Sequence, residues 1–169
     1  KNVGIVAEAL ARLRARHPHA HLRVVGTVPE QSKGLAAQMR CLLGDEGVSF
    51  TGHVTDEQLV EEYARASVFA YPSLYEGFGL PILEALAAGL PVLCSDSSSL
   101  PEVVGDAGAL LSQTDVEEWV HALDVALEPG PPDPASIARG YEQCRKFSWE
   151  QTAAIIAGPL QEAAGLSDR

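Results

Sequence analysis

The sequence predicts an α/β chain built on a doubly wound parallel sheet, with helices on both faces. Two observations carry this. Short strand-like runs and amphipathic helical runs alternate along the 169 residues, the pattern of a sheet whose strands are joined through helices. The strand-like runs stop on turn residues, at Gly26, Gly52 and Pro72, where the chain must leave the sheet. The length fits one domain of about 100–200 residues.

Taken in order, Asn2 is a candidate N-cap for a helix over Val3 to Arg16, with Val6, Ala9, Leu10 and Leu13 on one face. Leu22 to Gly26 reads as the first strand, Glu30 to Leu43 as a helix closed by Gly44, and Val48 to Gly52 as the second strand. Thr55 and Gln58 form a capping box for a helix reaching Ala66. Val68 to Tyr71 is the third strand. A compact helix follows from Leu80 to Ala88, with Pro81 in its first turn and Gly89 just past its end. Pro91 to Cys94 and Gly108 to Leu111 complete the strands, with a short helical turn over Pro101 to Val104 between them. Helices are expected over Val116 to Leu127, Ala135 to Lys146 and Trp149 to Ala164, the first two separated by a breaker at Gly130 to Pro134.

Composition excludes several classes. The formal net charge of -11 opposes nucleic acid and anionic lipid, so neither partner is expected. Cys41, Cys94 and Cys144 are isolated and odd in number, against a disulfide framework or a zinc site. That cysteine usage and the lack of a membrane-length apolar run or a signal peptide pattern suit a cytoplasmic setting. The chain opens on Lys1 and reads as part of something longer. His17, His19 and His21 read as surface residues, with no acidic partner spaced for metal binding, and Trp119 and Trp149 as packing anchors.

In parallel α/β sheets ligands bind at the carboxyl ends of strands. After the third strand comes Glu76-Gly77-Phe78-Gly79-Leu80-Pro81-Ile82-Leu83-Glu84. Gly77 and Gly79 let backbone approach a ligand. The amides of Phe78, Gly79 and Leu80 stand at a helix start, where they lack intrahelical partners and the dipole favours anions. Glu76 precedes the turn and Glu84 lies eight residues later. Carboxylates accept hydrogen bonds and suit vicinal hydroxyls of a sugar or ribose. Each part has a plainer reading: a tight loop, a solvated loop acid, a surface position on a helix. Their combination narrows the choice.

That run, continued through Ala85, Ala87, Gly89 and Pro91-Val92, resembles the paired-glutamate signature of the retaining GT-B glycosyltransferases of family four. Lys1-Asn2, Val24-Val25-Gly26, Phe50-Thr51-Gly52-His53-Val54 and Ser148-Trp149-Glu150 are similar to further positions of that family's donor domain, so the likeness runs along nearly the whole chain. It implies a Rossmann-like domain spanning residues 1–169, the C-terminal half of a GT-B fold, with the N-terminal acceptor domain absent. It implies that Glu76 stands at the donor sugar near the reacting centre and Glu84 at the ribose hydroxyls. It places the amides of Phe78, Gly79 and Leu80 at the sugar and diphosphate, Gly26 beneath the nucleotide, Val54 against the base, and Lys1 at the diphosphate. The alternative for Lys1 is a terminal side chain with no fixed partner.

The implied reaction moves a hexosyl group from a nucleoside diphosphate sugar to a glycan or lipid-linked acceptor with retention, without a cofactor or metal ion, because backbone amides and basic side chains stabilise the leaving diphosphate. The run from Ser98 to Gly108 is similar to mannosyltransferases that use GDP-mannose. With one wall of the cleft missing, the isolated chain is expected to transfer no sugar. Membrane-peripheral placement remains compatible with the full-length enzyme. Among weaker candidates, His53 packs or is exposed, Ser95-Asp96 caps the following turn, and Glu102 either closes the donor pocket or caps a helix. The rivals are a non-catalytic nucleotide-binding or regulatory domain, which need not keep both glutamates, a dinucleotide oxidoreductase domain, which lacks its glycine fingerprint after Gly26, and a receiver-like domain, which lacks an acidic cluster.

Overall fold

A computed structural model describes residues 1–131 and 133–163, with the side chain of Gln31 left aside. The ends of the expectations at Pro132 and Ala164 lie outside the described residues. The strands are β1 (Leu22–Val24), β2 (Val48–Phe50), β3 (Phe69–Tyr71), β4 (Val92–Ser95) and β5 (Ala109–Leu111). The helices are α1 (Gly4–Arg12), α2 (Lys33–Leu43), α3 (Asp56–Arg65), α4 (Leu80–Ala87), α5 (Leu100–Val104), α6 (Val116–Ala126), α7 (Pro134–Cys144) and α8 (Trp149–Ala163). All strand pairs are parallel, as the alternation predicts. Their hydrogen bonds form two ladders, β1-β2 and β3-β4-β5. One apolar cluster joins the ladders: Leu22 and Ala70 pack around Leu13, Leu93 and Trp119. A second fills the other face of β4, where Cys94 meets Ile82, Leu86 and Val103. Alternate residues of β4 thus point into opposite layers, as a strand buried on both faces must.

Several boundaries move for identifiable reasons. Asn2 is not the N-cap of α1. That position belongs to Val3, and Asn2 takes a left-handed conformation (φ 49°) while its side-chain amide donates to the Gln113 carbonyl at 2.9 Å. α1 ends at Arg12 and turns continue to Arg16. The helix expected from Glu30 begins as a 3-10 turn, Glu30–Ser32, before α2. Thr55 caps α3 in a complete capping box with Gln58. α4 starts with Pro81 in its first turn and is followed by Gly89 at φ 76°.

Trp119 is fully buried and its indole N–H donates to the Ser112 carbonyl at 2.8 Å. Trp149 is 77% exposed and anchors nothing among the described residues, a correction to the reading of both tryptophans as packing anchors. It opens α8, none of whose described residues is buried, so the ring shares the exposure of its whole helix. The three cysteines are free thiols, and burial pushes the Cys94 thiol up to about 12. Among the described residues no helix is long and apolar enough to cross a membrane.

Candidate functional site

The loop from Pro72 to Gly79 carries the chain from the end of β3 to the start of α4. Gly79 is the N-cap of α4 at φ 115°, a left-handed conformation that glycine adopts without strain. A Cβ at this position would stand 2.9 Å from Leu100 Cδ2. Among the described residues, no hydrogen bond uses the amides of Phe78, Gly79 or Leu80, so three backbone donors remain open at the helix terminus. Phe78 and Leu80 are themselves exposed.

Three donors converge on one oxygen of Glu76. The Tyr71 hydroxyl donates to Oε1 at 2.9 Å, and the Ser73 hydroxyl and the Lys1 ammonium donate to the same atom. Lys1 Nζ also donates to the Tyr71 hydroxyl at 2.8 Å and stands 4.8 Å from the centre of its ring. Lys1 therefore has fixed partners. Burial acts to raise the Glu76 carboxyl, but the hydrogen bonds from Lys1, Ser73 and Tyr71 outweigh it and hold the group below its ordinary range. Burial likewise acts to lower Lys1, and its bonds to Glu76 and Tyr71 reverse the sign. Glu76 is thus an ionised acceptor with Oε2 unoccupied by any described residue.

Glu84 sits on the exposed side of α4, whose Ile82, Ala85 and Leu86 face the core. The Tyr63 hydroxyl donates to its Oε2 at 2.8 Å. Burial, then this bond, push the Tyr63 phenol well above its ordinary value, so it stays a donor.

A run of three serines after β4 shapes the loop. Ser97 Oγ donates to the Leu74 carbonyl, Ser98 Oγ accepts from the Glu76 amide at 3.0 Å, and Ser99 Oγ donates to the carbonyls of Phe78 at 2.6 Å and Glu76 at 3.2 Å. Ser98 is left-handed at φ 48°. These contacts tie the segment after β4 to the loop after β3 and pair carbonyls that are part-buried or exposed. Sequence reasoning did not bring Tyr63, Tyr71 or Ser73 to the site, and it read Ser98 and Ser99 only as the start of a run similar to mannosyltransferases. The signal was present in the hydroxyl-rich strand ends, but only the fold shows which loop they meet. It chose Ser95-Asp96 as a cap instead. Ser95 Oγ is buried without a hydrogen-bond partner and caps nothing among the described residues.

The structure therefore brings Lys1, Glu76 and the Phe78–Leu80 amides to one loop, with Glu84 on the helix that follows. Gly26 follows β1 and Val54 lies beyond β2, in the segments that leave the other ladder. Gly26 (φ 110°) bridges Gly52, and its amide donates to Thr51 Oγ1 at 3.1 Å. His53 and Glu102 are exposed. A hollow runs beside β5, lined by Asp96, Ser112, Gln113 and Glu118. The surface reading of His17 also changes. His17 Nε2 lies 2.8 Å from Asp124 Oδ1, and with Glu128 these groups are close enough to ligate a metal ion. Arg16 already pairs with both carboxylates. The acidic partners come from α6 and the turn after it, more than a hundred residues along the chain.

Parallel ladders joined through helices, with open amides and Glu76 in the loop after β3 and Glu84 on α4, define the class: an α/β domain of GT-B type. The chain belongs to the family described as "Glycosyl transferases group 1", which matches residues 1–128. It is 48% identical over 103 residues to O-antigen chain mannosyltransferase B of Escherichia coli, covering 61% of this chain and 27% of that protein. It is 31% identical to a D-inositol 3-phosphate glycosyltransferase of Corynebacterium efficiens, covering 96% of this chain and 40% of that protein. The solved structure of WaaG, a glycosyltransferase involved in lipopolysaccharide biosynthesis, superposes with a TM-score of 0.75 at 27% identity, covering 92% of this chain and 43% of its own. The chain thus spans less than half the length of these relatives.

Proposed function

We propose that this chain is the donor-binding, C-terminal domain of a retaining hexosyltransferase of family four, with mannose as the transferred sugar and GDP-mannose as the donor. The observation that carries the reading is the Glu76 carboxylate, held ionised by Lys1, Tyr71 and Ser73, one turn before three open backbone amides. Likeness to a mannosyltransferase at 48% identity supports the choice of sugar. The acceptor, a glycan or a lipid-linked glycan, binds against a second domain outside this chain.

The chemistry follows from the residues. The amides of Phe78, Gly79 and Leu80, at the positive end of the α4 dipole, bind the donor's diphosphate and sugar oxygens and stabilise charge as the diphosphate departs. Lys1 exchanges its contact with Glu76 for the diphosphate. Glu76 Oε2 accepts a hydrogen bond from a hydroxyl of the transferred sugar and fixes it beside the departing group. Glu84 accepts from the ribose, Gly26 leaves room beneath the nucleotide, and the Val54 backbone meets the base. No metal ion or cofactor takes part, and the site works at a domain boundary in the cytoplasm.

The test uses the complete enzyme. Calorimetry across GDP, UDP and ADP sugars identifies the donor. Glu84→Ala raises the donor dissociation constant, and Glu76→Ala mainly lowers turnover. NMR of the product reports the anomeric configuration. Unchanged binding and turnover in both variants refutes the site, and an inverted product refutes retention.

A further inference from the structure

We infer that Tyr63 is the positioning residue for Glu84, holding that carboxylate ready for the hydroxyl pair of a nucleotide ribose. The inference rests on the proposed role of Glu84 as the ribose acceptor and deepens it.

Glu84 is exposed on a short helix, and a free glutamate there would sample several rotamers, all lost on binding a ligand. Tyr63 removes that freedom in advance. Its hydroxyl lies 2.8 Å from Glu84 Oε2 and 3.4 Å from the Pro81 carbonyl. A phenol has one proton, and the shorter, charge-assisted contact takes it. The Tyr63 ring is itself held. It packs tilted against Phe69 at 5.7 Å between centres, and Phe69 stacks on Tyr71 at 5.7 Å. The hydroxyls at the two ends of this three-ring row each touch one of the paired glutamates, Tyr63 on Glu84 and Tyr71 on Glu76.

The bond also selects how Glu84 can be used. Oε1 accepts no hydrogen bond from any described residue, and Oε2 keeps a second lone pair. The carboxylate therefore offers both oxygens in a fixed plane to two adjacent hydroxyls. A deoxynucleotide supplies one of the two and gains less from the fixed geometry. Tyr63 thus acts on discrimination between ribose and deoxyribose, beyond general affinity.

The experiment measures dissociation constants of GDP, UDP and their 2′-deoxy analogues for the complete enzyme, the Tyr63→Phe variant and the Glu84→Gln variant. Phenylalanine keeps the ring packed on Phe69 and removes only the hydroxyl. The wild type binds the ribonucleotide more tightly, and Tyr63→Phe loses about three- to tenfold of that preference while binding the deoxy analogue as before. Glu84→Gln loses the preference as well. If Tyr63→Phe keeps the wild-type preference while Glu84→Gln loses it, the positioning role is overturned and the ribose reading stands. If Tyr63→Phe weakens both nucleotides equally, Tyr63 is structural and the inference fails. If the wild type shows no preference, or Glu84→Gln retains it, the ribose reading itself falls.

Discussion

Tyr71, the last residue of β3, and Glu76, in the loop that follows, are joined by a 2.9 Å hydrogen bond from the phenol to the carboxylate. The strand end thereby fixes the carboxylate that the loop carries. With Ser73 and Lys1 on the same oxygen, the other faces outward without a partner. Removing the phenol by Tyr71→Phe keeps the ring and loosens the carboxylate. We expect turnover of the complete enzyme to fall by about three- to tenfold, with thermal stability nearly unchanged, since one charge-assisted bond is lost from a partly exposed site. Initial-rate kinetics beside a thermal melt decide this, and wild-type turnover would refute it.

The same cluster sets a pH dependence. Burial tends to raise the Glu76 carboxyl, and the hydrogen bonds from Lys1, Ser73 and Tyr71 hold it below its ordinary value. A depressed carboxyl contributes stability above its ordinary range and loses it as pH falls through the lowered value. Lys1→Ala removes one of these donors and its charge, so the Glu76 carboxyl rises. The acid limb of the melting-temperature profile, followed over about pH 3 to 6, should then move to higher pH. Superimposable profiles would show that the contact contributes nothing.

Ser99 Oγ lies 2.6 Å from the Phe78 carbonyl and 3.2 Å from that of Glu76, and its one proton serves the shorter contact. Ser99→Ala removes that contact at an exposed position, and the expected loss of stability is about 1 kcal/mol. Donor affinity should fall with it, because the Phe78 amide belongs to the same backbone. Urea unfolding and donor calorimetry on one preparation separate the two effects. An unchanged unfolding midpoint would mean that water replaces the hydroxyl at no cost.

Gly79 combines φ 115° with a close approach to Leu100 Cδ2. Gly79→Ala adds a Cβ where both backbone and space oppose it, and a destabilisation of about 1–3 kcal/mol is expected. The strain turns the amides at the start of α4 as well, so donor binding weakens beyond the stability effect. A variant as stable as the wild type would contradict the left-handed cap.

Gln143 joins α7 to α5. Its side chain is buried, and its amide donates to the Glu102 and Val103 carbonyls at 3.0 Å each. Gln143→Leu leaves both carbonyls unpaired at the end of α5, at an expected cost of about 1–3 kcal/mol. Chemical denaturation checks this, and a shift below about 0.5 kcal/mol would fall within the range of ordinary surface changes.

Local structure, and the loop proposed to hold the donor, are legible in the spacing of residues. Thr55 with Gln58, Pro81 with Gly89, and Gly79 between the two glutamates each act through backbone geometry a few residues away, so their effects are written in spacing. Alternating runs also sufficed for the parallel α/β class. Only the tertiary structure decided who touches the carboxylates. Tyr63 reaches Glu84 across 21 residues, Lys1 reaches Glu76 across 75, and His17 meets Asp124 across 107. Asn2 left its cap because a carbonyl 111 residues away offered a partner. Trp149 has the same ring as Trp119 but is exposed, because burial depends on what the fold brings against each ring. Hydrogen bonds and apolar contacts at such separations have no period to read. They exist only once the helices have packed on the sheet and closed the distance.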